Sequence, residues 1–275
     1  MPGITFEVAG IRVCFKSNTF LIRRVLENHY KEYLTKKKPN IQINVKYSKE
    51  QFDKPNFDRF IFKDENSSFG YKKKDIIFYN RRNKLASLAI FNPRNDNINF
   101  YTQEKSGHLL LYLFPGILYS MILYKYNAIM LHASAVYDGR RAYVFIAPSG
   151  GDKSTISRLA LEQGYKVLND DRVIVKKEKG KFYIYGNPWH GEIFKTENSR
   201  LRLDGIYFIR KSDINKLRPC SKRRALCGIM KNMFCLADRD DMINLCVELV
   251  EKSGFYIFEF KKDNSLWGFL DEHNE

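Results

Sequence analysis

The sequence predicts an α+β protein in two parts, an N-terminal α+β module over residues 1–105 and a second domain over 106–275. Three observations lead there. The first hundred residues alternate apolar and polar side chains in short runs around one helical segment. The character changes near residue 108, where a long apolar stretch begins. Beyond it, "FIAPSGGDKSTISRL" (Phe145–Leu159) joins a strand-like run to a helix-like run through a glycine-bearing loop. A length of 275 residues allows one large domain or two smaller ones with a sizeable core.

Taken in order, "ITFEVAGIRVCFKS" alternates about a central Gly and predicts a hairpin. "NTFLIRRVLENHYKEYLTKKK" has helical spacing, with Asn18 or Thr19 as cap and Pro39 after it. "NIQINVKYS" is a strand, and residues 57–102 predict several short strands with turns at "ENSS", "NRRN" and "PRNDN". His108–Met130 is apolar enough to suggest a membrane span, but Pro115, Gly116 and Lys125 interrupt it, which favours a buried helix. "HASAVYD" and "RAYVFIA" are strands joined by the tight turn "DGRR". "KSTISRLALEQG" is a helix closed by Gly164. "YKVLNDDRVIVKKEKGKFYIYGNPWHGE" then runs strand, acidic pair, strand, turn, strand and turn. Two helices are expected in the basic segment from Lys216 to Gly254, followed by a strand and a terminal tail.

The formal net charge is +16, which favours anionic partners. The lysines and arginines are scattered, as in "LTKKKPN" and "CSKRRAL", so solvated faces explain the charge better than a nucleic-acid surface does. No helix-turn-helix spacing, zinc finger or RNA-binding aromatic string accompanies it, and nucleic acid is an unlikely partner. The five cysteines form no CxxC pair and fit neither a zinc ribbon nor a disulfide scaffold, which predicts free thiols in a reducing, cytoplasmic setting. "MPGITFEVAG" lacks the basic and apolar regions of a signal peptide, and no membrane association is expected.

The chemistry concentrates around the loop. A phosphate-binding loop needs a strand, small residues whose N–H groups face phosphate oxygens, a Lys, a metal-binding Ser or Thr, and a helix whose dipole adds to the field. "AYVFIA", "PSGGD", Lys153–Ser154 and "TISRLALEQ" supply that order, making Ser149, Gly150, Gly151, Asp152, Lys153, Ser154 and Thr155 the candidate nucleotide-binding residues. Against the pattern GxxxxGK[ST], Ala147 and Asp152 stand in the two glycine slots. Asp170 and Asp171 follow the helix, and a phosphotransferase needs one carboxylate for a metal and another for the attacking hydroxyl. Alone the pair reads as a plain turn, but its place one crossover after the loop reverses that balance; His132, in "MLHASAV", reads as a satisfied core residue. In "GNPWHGE", His190 and Glu192 offer a polar group and a further carboxylate, or only a Pro–Trp turn.

"LHASAV", "APSGGDKST", "LNDDRVIV" and "GNPWHGE", in that order and spacing, resemble the HPr kinase/phosphorylase-like family, closest to its HPr-kinase-related members linked to peptide-modification clusters. The resemblance covers about residues 105–270. It implies a phosphoenolpyruvate-carboxykinase-like P-loop core, largely β rather than doubly wound. It further implies ATP and Mg²⁺, with Lys153 on the outer phosphates, Ser154 on the metal, Asp171 as base, Asp170 supporting the metal, His132 in the active site and Glu192 as a further metal carboxylate. An active-site arginine is implied in the C-terminal part, with Arg210, Arg223 and Arg224 as candidates. The expected activity is phosphorylation of a hydroxyl, the expected acceptor being a Ser of a peptide or small protein. The alternatives are a nucleotide-binding relative impaired by Asp152 and, on the charge alone, a basic nucleic-acid-binding protein. The family's homo-oligomeric habit is left open for this chain.

Overall fold

The computed structural model describes residues 3–91, 97–105, 107–148, 152–193, 197–236 and 240–273, with backbone only at Asp240 and Asp241. The chain is mixed α+β and divides into two units, Met1–Pro115 and Gly116–Glu275. The division falls later than the 105/106 boundary read from sequence. The reason is local: Tyr30 donates its hydroxyl to the carbonyls of Leu110 and Leu111, and Phe114 packs against Phe78 and Phe100.

In the first unit, β1 (Ile4–Val8) and β2 (Ile11–Ser17) form the expected hairpin. Its turn residues Ala9 and Gly10 both have positive φ, 53° and 77°, as a two-residue hairpin of right-handed strands requires. α1 (Phe20–His29) is shorter than the periodicity suggests. Thr19 is at its cap position without a side-chain capping bond, and Tyr30 ends it. The Tyr30 ring is fully buried and stacks 4.1 Å from Phe6, so the chain leaves the helix to seat that ring and continues as a single 3₁₀ turn, Lys31–Tyr33. β3 (Ile41–Tyr47) returns parallel to β2. Then β4 (Arg59–Lys63), β5 (Ser67–Lys72), β6 (Asp75–Arg82), β7 (Leu85–Phe91) and β8 (Asn97–Thr102) meander antiparallel, and β8 closes parallel to β3. The strand order is β1-β2-β3-β8-β7-β6-β5-β4. The turn expected at "PRNDN" lies almost wholly outside the described residues.

The apolar stretch after His108 is a π-helical turn (Leu109–Leu113), α2 (Phe114–Ile122) and a 3₁₀ turn (Leu123–Tyr126) that ends at Asn127 in the left-handed region. Leu109–Tyr126 is long and apolar enough by composition to cross a membrane, with mean hydropathy 1.4, and 56% of it is buried within the protein, as in a core helix.

The second unit is built from two sheets. β9 (Ala128–His132), β13 (Arg172–Glu178), β14 (Lys181–Tyr185) and β15 (Arg200–Arg202) form an antiparallel sheet. The other sheet has order β12-β10-β11-β16-β18-β17 and is mixed: β10 (Ser134–Tyr137), β11 (Ala142–Ile146), β12 (Lys166–Asn169), β16 (Gly205–Lys211), β17 (Lys216–Pro219) and β18 (Gly254–Phe260). β11 lies antiparallel to β10 and parallel to β16.

Its helices are α3 (Lys153–Glu162), α4 (Lys222–Asn232), α5 (Asp240–Lys252) and α6 (Ser265–His273). Alternation along β11 divides the core. Ala142, Val144 and Ile146 join one cluster with both sheets, α4 and α5, while Tyr143 and Phe145 join another with α3 and α6. α6 replaces the tail read from sequence, because Leu266, Trp267 and Leu270 bury one face of it. "KLRP" is β17, a strand within a segment read as helical.

The chain passes between the sheets three times, the last at Leu203 and Asp204 between β15 and β16, and the two earlier passages shape the site. It leaves β9 for β10 at Ala133, and it leaves β12 for β13 at Asp170–Asp171. The two passages are tied by the Ala133 N–H donating to the Asp171 carbonyl, 3.2 Å.

Candidate functional site

The two passages and the start of α3 meet at one cavity of about 380 Å³. It is lined by Asp152, Lys153, Ser154, Thr155 and Arg158 from α3, by His132, Asp170 and Asp171 from the passages, and by Gly191 and Glu192. That volume is within the usual range of small-molecule sites.

β11 delivers the chain to the loop fully buried. Ser149, Gly150 and Gly151 lie outside the described residues. Asp152 occupies the helix-cap position at φ 67°, ψ 19°, a left-handed conformation that explains why glycine suits this slot. Its side chain makes no capping bond to the helix backbone. Instead it accepts from Thr155 Oγ1 at 3.2 Å and forms an ion pair with Lys262. Lys153 is buried, and its Nζ donates to the carbonyls of Ala147 (3.0 Å) and Pro148 (3.4 Å). Burial pushes the Lys153 ammonium below the ordinary lysine range, partly opposed by the Asp171 carboxylate. α3 is pinned to β10 by the buried Ser134–Ser157 hydroxyl pair, 2.6 Å, while Ser157 also donates to the Lys153 carbonyl.

The acidic pair is shaped by Asn169, fully buried at the end of β12. Its Oδ1 accepts from the backbone N–H of Asp171 (2.9 Å) and Arg172 (2.7 Å). Its Nδ2 donates to Asn187 Oδ1 (3.0 Å) and the Trp189 carbonyl (3.2 Å). The two aspartates therefore diverge in role. Asp170 is buried, and its carboxylate accepts three backbone N–H bonds, from Gly191 to Oδ1 and from Glu192 and Ile193 to Oδ2, at 2.7–2.9 Å. It anchors that loop and also lines the cavity. Gly191 is needed there by close approach: a Cβ would come 3.0 Å from Asp170 Oδ2.

Asp171 faces the cavity. Its Oδ1 is 3.0 Å from His132 Nδ1, and its Oδ2 is 3.3 Å from Arg172 Nε. A carboxylate only accepts, so His132 carries a proton on Nδ1 in this contact. Burial raises the Asp171 carboxyl, but the His132 hydrogen bond, Arg172 and Lys153 outweigh it and hold it below the usual carboxylate range. His132 is thus no isolated core histidine; it shares its register position with Arg172 across β9 and β13.

Glu192 lines the cavity, exposed and ion-paired with Arg158. His190 lies with its Nδ1 3.3 Å from the Gly191 carbonyl, outside the cavity lining. Arg210 pairs with Glu259, and Arg223 and Arg224 are exposed on α4; none of the three lines the cavity. The cavity's arginine is Arg158, which sequence reasoning missed. Helical spacing carried the signal, since Ser154, Thr155 and Arg158 recur at the separations that share one helix face. Asn169 and Lys262 were missed as well.

Among the described residues, no group of three His, Cys, Asp or Glu side chains is arranged to hold a metal ion. The side chains with oxygen donors that line the cavity are Asp152, Ser154, Thr155, Asp170, Asp171 and Glu192. That set fits an ion carried in by phosphates rather than one held in a protein cage. No family model matches the sequence, and no curated protein matches it significantly.

Proposed function

We propose that the chain is an ATP/Mg²⁺-dependent kinase acting on a hydroxyl, the acceptor being a serine of a peptide or small protein. The observation that carries this reading is the meeting of Lys153, at a strand–loop–helix start, with the His132–Asp171 pair in one cavity. Lys153 and the α3 N-terminus offer positive potential to phosphate oxygens, and Arg158 adds a guanidinium on the same helix face. Ser154 and Glu192 are the residues that would hold the magnesium ion, which when bound neutralises phosphate charge.

Asp171 orients the acceptor hydroxyl. As the acceptor oxygen bonds to the γ-phosphorus, the bond from that phosphorus to the β–γ bridging oxygen breaks and ADP leaves. The hydroxyl proton passes to Asp171. A loose phosphoryl-transfer transition state asks more of positioning than of base strength, which suits a carboxylate held low by His132 and Arg172.

A second reading keeps the nucleotide and drops the chemistry. Asp152 at the loop and the Lys153 bonds to its own loop's carbonyls favour it. Calorimetric titration with ATP·Mg²⁺ and labelled-ATP transfer to serine peptides separate the two. Binding with transfer that Asp171→Asn abolishes, while binding persists, supports the kinase. Binding without transfer supports the impaired form, and absence of binding overturns both.

A further inference from the structure

Four sulfur atoms meet beside the extended segment that follows α4. Met233 bridges to Leu131 of β9, Phe234 donates its N–H to the Met130 carbonyl (2.8 Å), and Leu236 donates its N–H to the Ser120 carbonyl (3.3 Å). Residues 233–236 are therefore held by their backbone. Side chains alternate along such a segment. Phe234 goes one way, edge-on to the His132 ring at 5.8 Å, and Met233 and Cys235 go the other. Met242 and Cys246, both buried, are one turn apart on one face of α5. The two pairs face each other. Cys235 Sγ is 3.5 Å from Met242 Sδ, and Cys246 Sγ is 4.0 Å from Met233 Sδ. Burial pushes the Cys246 thiol up, and Cys235 adds to the effect, so the two thiols are also near neighbours.

Apolar packing accounts for buried Cys and Met, but it sets no preference for sulfur against sulfur. A tetrahedral metal with bonds to sulfur of about 2.3 Å spaces its sulfurs about 3.8 Å apart, between the two separations found here. We propose that Met233, Cys235, Met242 and Cys246 form a binding site for one Cu(I) ion. Ligand chemistry selects the metal. Thioethers are neutral and soft, and a set of two Cys and two Met suits Cu(I), whereas Zn²⁺ takes thiolates, imidazoles and carboxylates. Because two corners are methionines, the cluster is not a group of three His, Cys, Asp or Glu side chains. As each copper–cysteine bond forms, that thiol releases its proton to solvent. Each methionine binds through a sulfur lone pair, and copper stays Cu(I) throughout. The ion offsets one of the two thiolate charges. Met233 also lines a cavity of about 470 Å³ together with Lys231, which gives the ion an entrance and puts a cation on the side of the remaining charge. None of the four ligands lines the candidate nucleotide cavity, so the site does not rest on the kinase reading.

The test titrates the full chain, reduced and oxygen-free, into the coloured Cu(I)–bicinchoninate complex and follows the loss of absorbance. One equivalent of Cu(I) should transfer, and X-ray absorption of the loaded chain should show sulfur alone around copper at about 2.3 Å. Cys235→Ser and Cys246→Ser should each weaken uptake about a hundredfold or more, and Met242→Leu about tenfold or more, since a lost ligand costs at least as much as a lost outer-shell partner. Cys227→Ser, exposed on α4, should take up copper as wild type does. Met242→Leu conserves core volume, so it and Cys235→Ser decide the matter where Cys246→Ser fails to fold. Absence of transfer to the wild-type chain overturns the proposal. So does uptake that Cys235→Ser and Met242→Leu leave unchanged, or copper ringed by nitrogen or oxygen.

Discussion

Replacing Asp152 separates its backbone conformation from its charge. At φ 67° a non-glycine residue bears about 1 kcal/mol of strain, less for Asp than for bulkier residues, and Asp152→Gly relieves it. The same change removes the ion pair with Lys262, whose side chains are 20% and 36% exposed, an interaction worth about 1 kcal/mol or less. These nearly cancel, so the melting temperature should stay within a few degrees of wild type. Affinity for ATP·Mg²⁺ is a different matter. A bare carboxylate about 4 Å from a phosphate charge, at an effective dielectric of about 20, opposes binding by about 4 kcal/mol. Lys262 sits on that carboxylate and cancels most of it. If about a third survives, roughly 1.4 kcal/mol, Asp152→Gly and Asp152→Asn should each tighten binding about tenfold by calorimetry. Lys262→Ala strips the compensation and should weaken binding by more than tenfold. An Asp152→Asn variant that binds more weakly than wild type would refute this reasoning, since the carboxylate would then be aiding the nucleotide. So would a Lys262→Ala variant that binds as wild type does.

Three further outcomes follow from the same geometry. Lys153→Met should lose ATP binding. Because the Lys153 ammonium is held below the ordinary value by burial, the unfolded chain binds more protons between that depressed value and about 10.5, so wild type should gain stability relative to Lys153→Met as pH rises through this window in urea unfolding. Asn169→Ala removes the bonds that its side chain makes to the N–H groups of Asp171 and Arg172 and to the Trp189 carbonyl, and should cost about 3 kcal/mol in chemical denaturation while abolishing transfer; a variant of wild-type stability would contradict the network. With maleimide near pH 8, exposed Cys227 should label first, whereas Cys246, buried and with its thiol pushed up to about 11 by burial and then by Cys235, should label only on unfolding, as read by mass spectrometry.

What the sequence made legible was whatever local spacing encodes. The β1–β2 hairpin follows from alternation about Gly10, and the α3 segment from the periodicity of Ile156 and Ala160, both fully buried. Local spacing failed where a distant partner decides. α1 stops at Tyr30 because that hydroxyl finds carbonyls on Leu110 and Leu111. α6 forms because Trp267 and Leu270 find the far face of the six-stranded sheet. Lys262 meets Asp152 from beyond β18, and no motif links two residues so far apart in the chain. Asp170 and Asp171 were legible as a pair, yet their division of labour is set by which amides lie opposite, on a loop some twenty residues later.

Asn169, at the end of β12, and Asp170, just beyond it, hold their neighbours through side chains rather than through ladder bonds. One keeps the amides of Asp171 and Arg172, and the other those of Gly191, Glu192 and Ile193. The shape of this junction is therefore written in two side chains, and a single substitution at either strands several amides at once. The geometries of the two loops are thereby coupled: reshaping one without the other leaves backbone amides without acceptors.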